Sequence, residues 1–200
     1  MAFNKLLHVE DHQMVTLGLE QVVKSLVPAV EFRSVTNVAD AFKTLKTWQP
    51  DLIFLDLQLG SETAMEHISA IKDAAGGAPV AIYSAIDDVV TMRLTLKRGA
   101  VAYIRKGLPL DQQREAMEKL LANGYYFPPE LAEADMQALP SDRKLAVLQL
   151  LVTGKPNKVI ARELNVSPDT VKTHVQQLFQ MLGVKNRTQA ADVAKKRGLV

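Results

Sequence analysis

The 200-residue sequence contains no cysteine, and this absence removes several classes of chemistry. Disulfide bonds, zinc sites built on thiolates and catalysis by a thiol nucleophile are all excluded. The sequence also lacks an apolar run near the roughly 18 residues of a membrane-spanning helix. Its first residues lack the apolar core, about 7–15 residues long, of a secretory signal peptide. We therefore expect a soluble cytoplasmic protein without membrane contact.

The net charge is only +2, but the charges are distributed unevenly. Residues 1–123 carry 13 basic and 15 acidic side chains, a net charge of −2, whereas residues 138–200 carry 11 and 4, a net charge of +7. A basic C-terminal module beside a slightly acidic N-terminal one indicates a nucleic-acid-binding end. The charge alone is equally compatible with a solvated basic surface.

Short apolar runs alternate with segments of helical length in the first 123 residues. The runs are residues 6–9, 30–35, 52–55, 80–83 and 101–104, and the predicted helices are 12–26, 37–49, 62–75, 87–98 and 110–122. Unbroken apolar runs between turn residues are typical of strands covered on both faces. Five such units predict an α/β doubly wound fold with five parallel strands.

The last 60 residues contain the pattern of helices only. The predicted helices are 142–153, 157–164, 168–182 and 187–197, which together form an all-α four-helix domain. Before them, residues 124–140 contain Pro128-Pro129 and no sustained period, which predicts a linker with room for one short helix around residues 130–137. The predicted division is a domain of residues 1–123, a linker of residues 124–140 and a domain of residues 141–200.

Chemically capable side chains follow four of the predicted strands. Glu10 and Asp11 follow the first strand, Asp56 the third, Ser84 the fourth and Lys106 the fifth. The carboxyl ends of parallel strands border one crevice, where three crowded carboxylates form a hard oxygen site suited to Mg²⁺. Asp56 can then act as a nucleophile and form an aspartyl phosphate. Lys106 and Ser84 can contact phosphoryl oxygens.

Four segments resemble the signatures of the response-regulator receiver domain, in the same order and at similar spacing. They are Val9-Glu-Asp-His12, Leu55-Asp-Leu57, Tyr83-Ser-Ala85 and Tyr103-Ile-Arg-Lys106. The resemblance covers about residues 1–123 and implies a flavodoxin-like fold with Asp56 as the phosphoacceptor. It also implies Mg²⁺ held by Glu10, Asp11, Asp56 and the Gln58 carbonyl, Ser84 and Tyr103 as a switch pair, and Lys106 as the phosphate contact. In that family the phosphoryl group draws the hydroxyl inward and the aromatic ring follows.

Two histidines and one glycine stand out around these segments. Gly60 occupies a position where the family often has proline, which makes the loop after Asp56 more permissive. His8 and His12 flank the acidic pair, where a metal role is conceivable. Because His8 lies within a predicted strand, we interpret it as a packed imidazole.

Residues 158–183 have the pattern of a helix-turn-helix motif. Asn165-Val166 forms a tight turn after a short helix, and Ser167 then provides an N-cap for the next helix. The apolar residues of that helix share one face, and polar residues, among them Thr173 and Gln176, lie opposite. A polar helix face after a short helix and turn is typical of a DNA-reading helix.

Residues 141–200 resemble the LuxR-type helix-turn-helix of the NarL/FixJ response regulators, most clearly at residues 157–161, 170–174 and 182–188. The resemblance implies that the second helix of the motif enters the major groove. The residues it assigns to DNA contact are Asn157, Lys158, Ser167, Thr170, Lys172, Thr173, Gln176 and Lys185. Ala190, Val193 and Ala194 give the last helix small side chains, which suit either a dimer contact or packing on its own domain.

The preferred interpretation is a response regulator and DNA-binding transcriptional regulator, controlled by phosphorylation of Asp56 and acting as a homodimer. A cognate histidine kinase would be the phosphodonor, and self-phosphorylation and self-dephosphorylation would be the only chemistry. Two alternatives remain: a phosphorylation-independent DNA-binding regulator with a structural receiver domain, and a phosphohydrolase with Asp56 as nucleophile. Such hydrolases commonly need a second carboxylate two residues on, where this chain has Gln58.

Overall fold

The computed structural model describes residues 3–133, 141–197 and 199–200. Contacts between residues divide the chain into two compact units, Met1–Ala134 and Asp135–Val200. In the described ranges, no helix combines the length and the apolar character that a membrane span requires. The domain limits predicted from the sequence, at residues 123 and 141, stay predictions.

The first unit is built on a parallel sheet. Along the chain, its strands are β1 (Lys5–Val9), β2 (Glu31–Val35), β3 (Leu52–Leu55), β4 (Gln58–Leu59), β5 (Glu62–Thr63), β6 (Val80–Ser84) and β7 (Ala102–Arg105). Five of them form one parallel sheet in the order β2-β1-β3-β6-β7, and β4 and β5 form a separate antiparallel hairpin. Every residue of β3 and β6 is buried, as expected for central strands of a doubly wound sheet. The predicted fold is confirmed.

Helices flank this sheet. They are α1 (Gln13–Leu26), α2 (Val38–Leu45), α3 (Ile68–Ala74), α4 (Val89–Lys97), α5 (Leu110–Asn123) and the short α6 (Glu130–Glu133). One part of the core joins Leu19 of α1 and Leu120 of α5 to Phe54 of β3. Each fully buried side chain of this size stabilises the fold by about 1.5–3 kcal/mol, so the strands that carry the polar residues are firmly held.

The start of the predicted helix 62–75 is wrong. Residues Glu62–Thr63 pair with Gln58–Leu59 as a hairpin, a 3₁₀ turn follows at Met65–His67, and α3 begins only at Ile68. Gly60, with φ of +61°, lies in the two-residue turn of that hairpin. Only glycine adopts this left-handed conformation without steric cost, which explains why the chain reverses here.

The chain after α5 stays with the first unit. Gly124, with φ of +80°, ends α5, and Tyr126 then pairs with β7: its N–H donates to Val101 O at 3.2 Å, and its carbonyl accepts from Tyr103 N at 2.9 Å. The short helix predicted around residues 130–137 is present as α6, which lies against α4, and residues 134–137 lie outside the described ranges. The predicted linker thus begins with residues that contact the first unit.

The described part of the second unit is helical. Its helices are α7 (Asp142–Val152), α8 (Asn157–Glu163), α9 (Pro168–Leu182) and α10 (Arg187–Lys196), as predicted. Asn165, with φ of +51°, makes the turn between α8 and α9, and Val166 N donates back to Ala161 O at 2.9 Å. This bond satisfies a carbonyl at the end of α8. Ser167 then caps α9 by accepting the Thr170 N–H at 3.0 Å.

Candidate functional site

Backbone hydrogen bonds fix the polar residues at the carboxyl edge of the sheet. Asp56 N donates to Val9 O at 3.0 Å, and Lys106 N donates to Ser84 O at 2.8 Å. Both bonds cross between neighbouring strands at the point where the strands end. The structure therefore brings Glu10, Asp56 and Lys106 together as predicted.

These three side chains form a buried ion cluster. The Lys106 ammonium donates to Asp56 Oδ2 at 2.7 Å and also to Glu10 Oε2. Glu10 is 2% exposed and Asp56 is 3% exposed. Burying a carboxylate without a partner is costly, and one ammonium offsets only one of these two charges. The cluster therefore retains negative charge that favours a cation.

The donor set around Asp56 fits a hard metal ion. Asp56 Oδ1 is buried and has no hydrogen-bond partner among the described residues. Glu10 shares the Lys106 ammonium with Asp56, and ligand atoms of Glu10, Asp11 and His12 lie within 4.8 Å of one another. Oxygen-rich sets of this kind suit Mg²⁺. The Gln58 side chain is exposed on β4, and the role predicted for its carbonyl stays a prediction.

Gly60 holds the second acidic residue in place. The Gly60 N–H donates to Asp11 Oδ2 at 2.9 Å, across the loop that follows Asp56. A proline at this position would lack the N–H and could not adopt a φ of +61°. The glycine that departs from the family pattern thus contributes a direct contact to the acidic pair.

The two histidines have opposite environments. His8 is fully buried, and this burial, followed by the charge of Lys106, lowers its pKa to about 3. It is therefore a neutral, packed imidazole, as predicted. His12 is 69% exposed and lies 3.0 Å from Glu10 and 2.9 Å from Asp11. Its hydrogen bond to Glu10, and then the charge of Asp11, raise its pKa.

Ser84 and Tyr103 both contact the backbone of Ile86. The Tyr103 hydroxyl donates to Ile86 O at 2.8 Å, and Ser84 Oγ accepts the Ile86 N–H at 3.4 Å. Both side chains are fully buried. Burial and then the charge of Asp88 raise the pKa of Tyr103, so its hydroxyl remains a donor. In this structure the aromatic ring already lies inward.

Sequence reasoning missed Gln113, which is 6% exposed. Its amide contacts Tyr83, Lys106 and Leu108 by hydrogen bonds. A signal for it exists in the sequence. The buried residues of α5 fall at the spacing i, i+3, i+4 and i+7, namely Gln113, Ala116, Met117 and Leu120, so this glutamine occupies the apolar stripe.

Helix α9 presents the predicted polar face. Its apolar side is buried through Val171, Leu178 and Leu182. The exposed residues among the predicted DNA contacts are Lys158, Ser167, Lys172, Thr173, Gln176 and Lys185, and Asn157 and Thr170 are half-buried. The Ser167 and Thr170 hydroxyls lie 2.8 Å apart within the helix cap. This exposure fits DNA contact, and each assignment stays a prediction.

The predicted dimer contact on the last helix needs correction. Ala190 and Ala194 are fully buried, because α10 packs against α7 and α9 of the same unit. Small side chains allow this close packing, and buried atoms cannot contact a second chain. Of the three predicted residues, only Val193 keeps accessible surface.

Comparison with known proteins gives two family matches. Residues 6–118 match the family described as response regulator receiver domain, and residues 139–194 match bacterial regulatory proteins, luxR family. The chain is 28% identical over 203 residues to the nitrate/nitrite response regulator protein NarL of Escherichia coli K12, covering 93% of this chain and 92% of NarL. It is also 28% identical over 192 residues to the transcriptional regulatory protein DesR of Bacillus subtilis, covering 94% of this chain and 95% of DesR.

Solved structures give the same fold. RcsB from Salmonella enterica serovar Typhimurium, bound to promoter rprA in the presence of the phosphomimetic BeF3-, superposes with a TM-score of 0.67. The identity is 17%, and the superposition covers 98% of this chain and 99% of that chain. A second RcsB–DNA complex gives a TM-score of 0.65 at 17% identity, with 98% and 99% covered. At these identities, the likeness concerns the fold alone.

Proposed function

This chain belongs to the response-regulator family, with a receiver domain followed by a LuxR-type DNA-binding domain, and we propose that phosphorylation of Asp56 controls its binding to DNA. The family consists of transcription regulators and not of classical enzymes. The buried cluster of Asp56, Glu10 and Lys106 carries the proposal. It combines a nucleophile, a second carboxylate and an ammonium group in one crevice.

The proposed reaction is a phosphoryl transfer to Asp56. A carboxylate oxygen of Asp56 attacks phosphorus, a new O–P bond forms, and the bond from phosphorus to the donor breaks with its electrons leaving on the donor. Lys106, which already contacts Asp56 Oδ2, would then bind a phosphoryl oxygen.

Glu10, Asp11 and Asp56, with the carbonyl of Gln58, would hold Mg²⁺. When bound, the ion offsets the negative charge of the acidic residues and of the incoming phosphoryl group. The fit rests on the unpartnered Oδ1 of Asp56 and on the grouped ligand atoms of Glu10 and Asp11.

Ser84 and Tyr103 would carry the signal away from the crevice. The hydroxyl of Ser84 would bind a second phosphoryl oxygen and release the Ile86 N–H, which it now accepts. Because Tyr103 holds the carbonyl of the same residue, a shift of Ile86 reaches the tyrosine directly. Two arrangements of the Ile86 backbone would thus report the phosphorylation state.

The output would be DNA binding through α9. We propose that Lys172, Thr173 and Gln176 face the major groove, where glutamine can read base edges and lysine neutralises phosphates. Asn157, Lys158, Ser167, Thr170 and Lys185 would contact the backbone around it. The solved structures that resemble this chain include RcsB bound to DNA. We propose further that the protein binds DNA as a homodimer and that a histidine kinase is its phosphodonor.

The test is intact mass after incubation with Mg²⁺ and acetyl phosphate. We expect wild type to gain one phosphoryl group and Asp56→Asn to gain none. Asp73→Asn, the same change at an exposed carboxylate of α3, serves as the matched control and should behave as wild type. The same samples then go to size measurement and DNA binding.

The outcomes separate the proposal from its alternatives. An adduct that depends on Asp56 and increases dimerisation or DNA affinity supports the switch. DNA binding without any adduct on wild type would refute the phosphorylation mechanism and leave a constitutive regulator.

A further inference from the structure

We propose that Gln113 is a positioning residue for Lys106, and that with Tyr83 it forms a buried support which sets the rate of phosphorylation at Asp56. The inference rests on the proposed function and deepens it. Neither Gln113 nor Tyr83 reaches the phosphoacceptor; both act through the loop that carries Lys106.

Gln113 links α5 to that loop through its side chain. Its Nε2 donates to Lys106 O at 3.0 Å and to Leu108 O at 2.7 Å, one bond for each of its two hydrogens. Its Oε1 accepts the Tyr83 hydroxyl at 2.7 Å. The amide therefore uses both donors and its acceptor within a site that is 6% exposed.

The orientation of the amide follows from its partners. The two backbone carbonyls can only accept, so the nitrogen must face them and the oxygen must face Tyr83. The Tyr83 hydroxyl is held as a donor because burial, followed by the charges of Glu10 and Asp56, raises its pKa to about 12. Rotating the amide would break three hydrogen bonds, so this network has one arrangement.

Lys106 is held by contacts to its backbone and to its side chain. Its N–H bonds to Ser84 O at 2.8 Å, and its carbonyl accepts from Gln113. The Tyr83 ring lies 5.7 Å from the Lys106 ammonium, within cation–π range. Gly107 follows, so the loop has little intrinsic stiffness of its own. The side chain of Gln113 supplies the rigidity that Gly107 lacks.

Position matters because Lys106 must meet a phosphoryl oxygen beside Asp56. Displacing a catalytic group by about 1 Å can slow a reaction by up to about 100-fold. Without the Gln113 amide, Lys106 can still pair with Asp56, but the backbone of Lys106 is no longer fixed. We therefore expect a slower reaction and not a lost one.

The test compares wild type with Gln113→Met, which keeps length and apolar volume but removes all three hydrogen bonds. Gln112→Met, the same change at the exposed neighbouring position, is the matched control. With acetyl phosphate, Gln113→Met should slow adduct formation by about tenfold. The Mg²⁺ concentration at half-maximal rate should stay within about twofold, because carboxylates and not Lys106 hold the ion.

Hydrogen exchange of residues 105–110 in the unphosphorylated protein is a second measurement, and it does not depend on phosphorylation. We expect faster exchange in Gln113→Met and no change in Gln112→Met. Unchanged exchange would overturn the inference, as would an unchanged phosphorylation rate. A parallel loss of rate, Mg²⁺ response and thermal stability would reassign Gln113 to general packing. Absence of an adduct on wild type would refute the proposed function, while exchange would still decide whether Gln113 positions the loop.

Discussion

Arg105 pairs with Glu130 at 3.2 Å, and this contact ties the segment after α5 to the strand that precedes Lys106. The same guanidinium contacts Asp87 at 2.9 Å, and its hydrogen bond to Asp87 is the main reason that its pKa is raised. Backbone pairing of Tyr126 with β7 adds a second attachment. The chain that leads away from the receiver domain is therefore docked on the strand that carries Tyr103.

Arg105→Ala should loosen this segment without unfolding the domain. Glu130 is half-exposed, and pairs of this kind contribute only about 0–1 kcal/mol. We expect faster hydrogen exchange in residues 125–133 and little change in the free energy of unfolding. Arg114→Ala, which removes an ion pair with Glu118 on α5, is the control. Equal exchange in the two variants would contradict a docking role for Arg105.

Gly60→Ala should destabilise the receiver domain by about 1 kcal/mol, because an alanine is strained at a φ of +61°. Gly60→Pro should cost more and should also weaken Mg²⁺ binding, since it removes the N–H that holds Asp11. Unfolding can be followed by Trp48, the single tryptophan, which is buried in the first unit. Gly18→Ala provides the control: Gly18 lies in α1 with open space around it, so there the same change should stabilise.

Ser167→Ala should destabilise the second unit by about 1 kcal/mol, because it removes the acceptor that caps α9. Ser167→Asn, which retains a capping oxygen, should remain within a few tenths of a kcal/mol of wild type. Circular dichroism reports helices of both units, whereas Trp48 fluorescence reports the first unit only. The expected result is an earlier dichroism transition with an unchanged fluorescence transition. A shift of both together would show that the loss lies elsewhere.

Lys172→Ala should weaken DNA binding about uniformly across sequences. A lysine that neutralises one phosphate contributes about one unit to the slope of log affinity against log salt. We therefore expect that slope to fall by about 1 in a salt titration of the phosphorylated protein. Lys46→Ala removes the same charge from the exposed surface of the first unit and should leave the slope unchanged. Identical slopes for wild type and Lys172→Ala would remove Lys172 from the interface.

Much of the fold was predictable because its signals are local. Strand Leu52–Leu55 and helix Pro168–Leu182 have the predicted bounds, one from an unbroken apolar run and the other from an N-cap with a helical stripe. The hairpin at Gln58–Thr63 was missed, since its strands are two residues long and show no period. The pairing of Tyr126 with β7 uses backbone atoms only, so no side-chain pattern predicts it.

The candidate site was predictable in its residue types and not in its support. Glu10, Asp56 and Lys106 are recognisable because each ends a strand, and the structure brings them together. Gln113 was not singled out from the sequence because glutamine is polar, although its position on the apolar stripe of α5 points inward. Ala190 was interpreted as a possible dimer contact. Which face of α10 packs within its own unit depends on the other helices, and these are distant in sequence.

Tyr83 should make the receiver domain less stable at alkaline pH. Burial raises its pKa to about 12, above the value near 10 of an unfolded tyrosine. Between these values the unfolded chain releases the proton while the folded domain keeps it, so stability falls as pH rises from about 10 to about 12 and is unaffected below. The full effect is about 3 kcal/mol, since each pKa unit corresponds to about 1.4 kcal/mol. Measured by Trp48 fluorescence in denaturant at pH 9 and pH 11, wild type should lose stability and Tyr83→Phe should lose distinctly less.

Tyr103 has a raised pKa too, so some dependence of stability on pH will persist in Tyr83→Phe. Tyr125→Phe, at an exposed position, should follow wild type, and the same behaviour in Tyr83→Phe would show that the Tyr83 hydroxyl titrates as freely in the folded domain as in the unfolded chain.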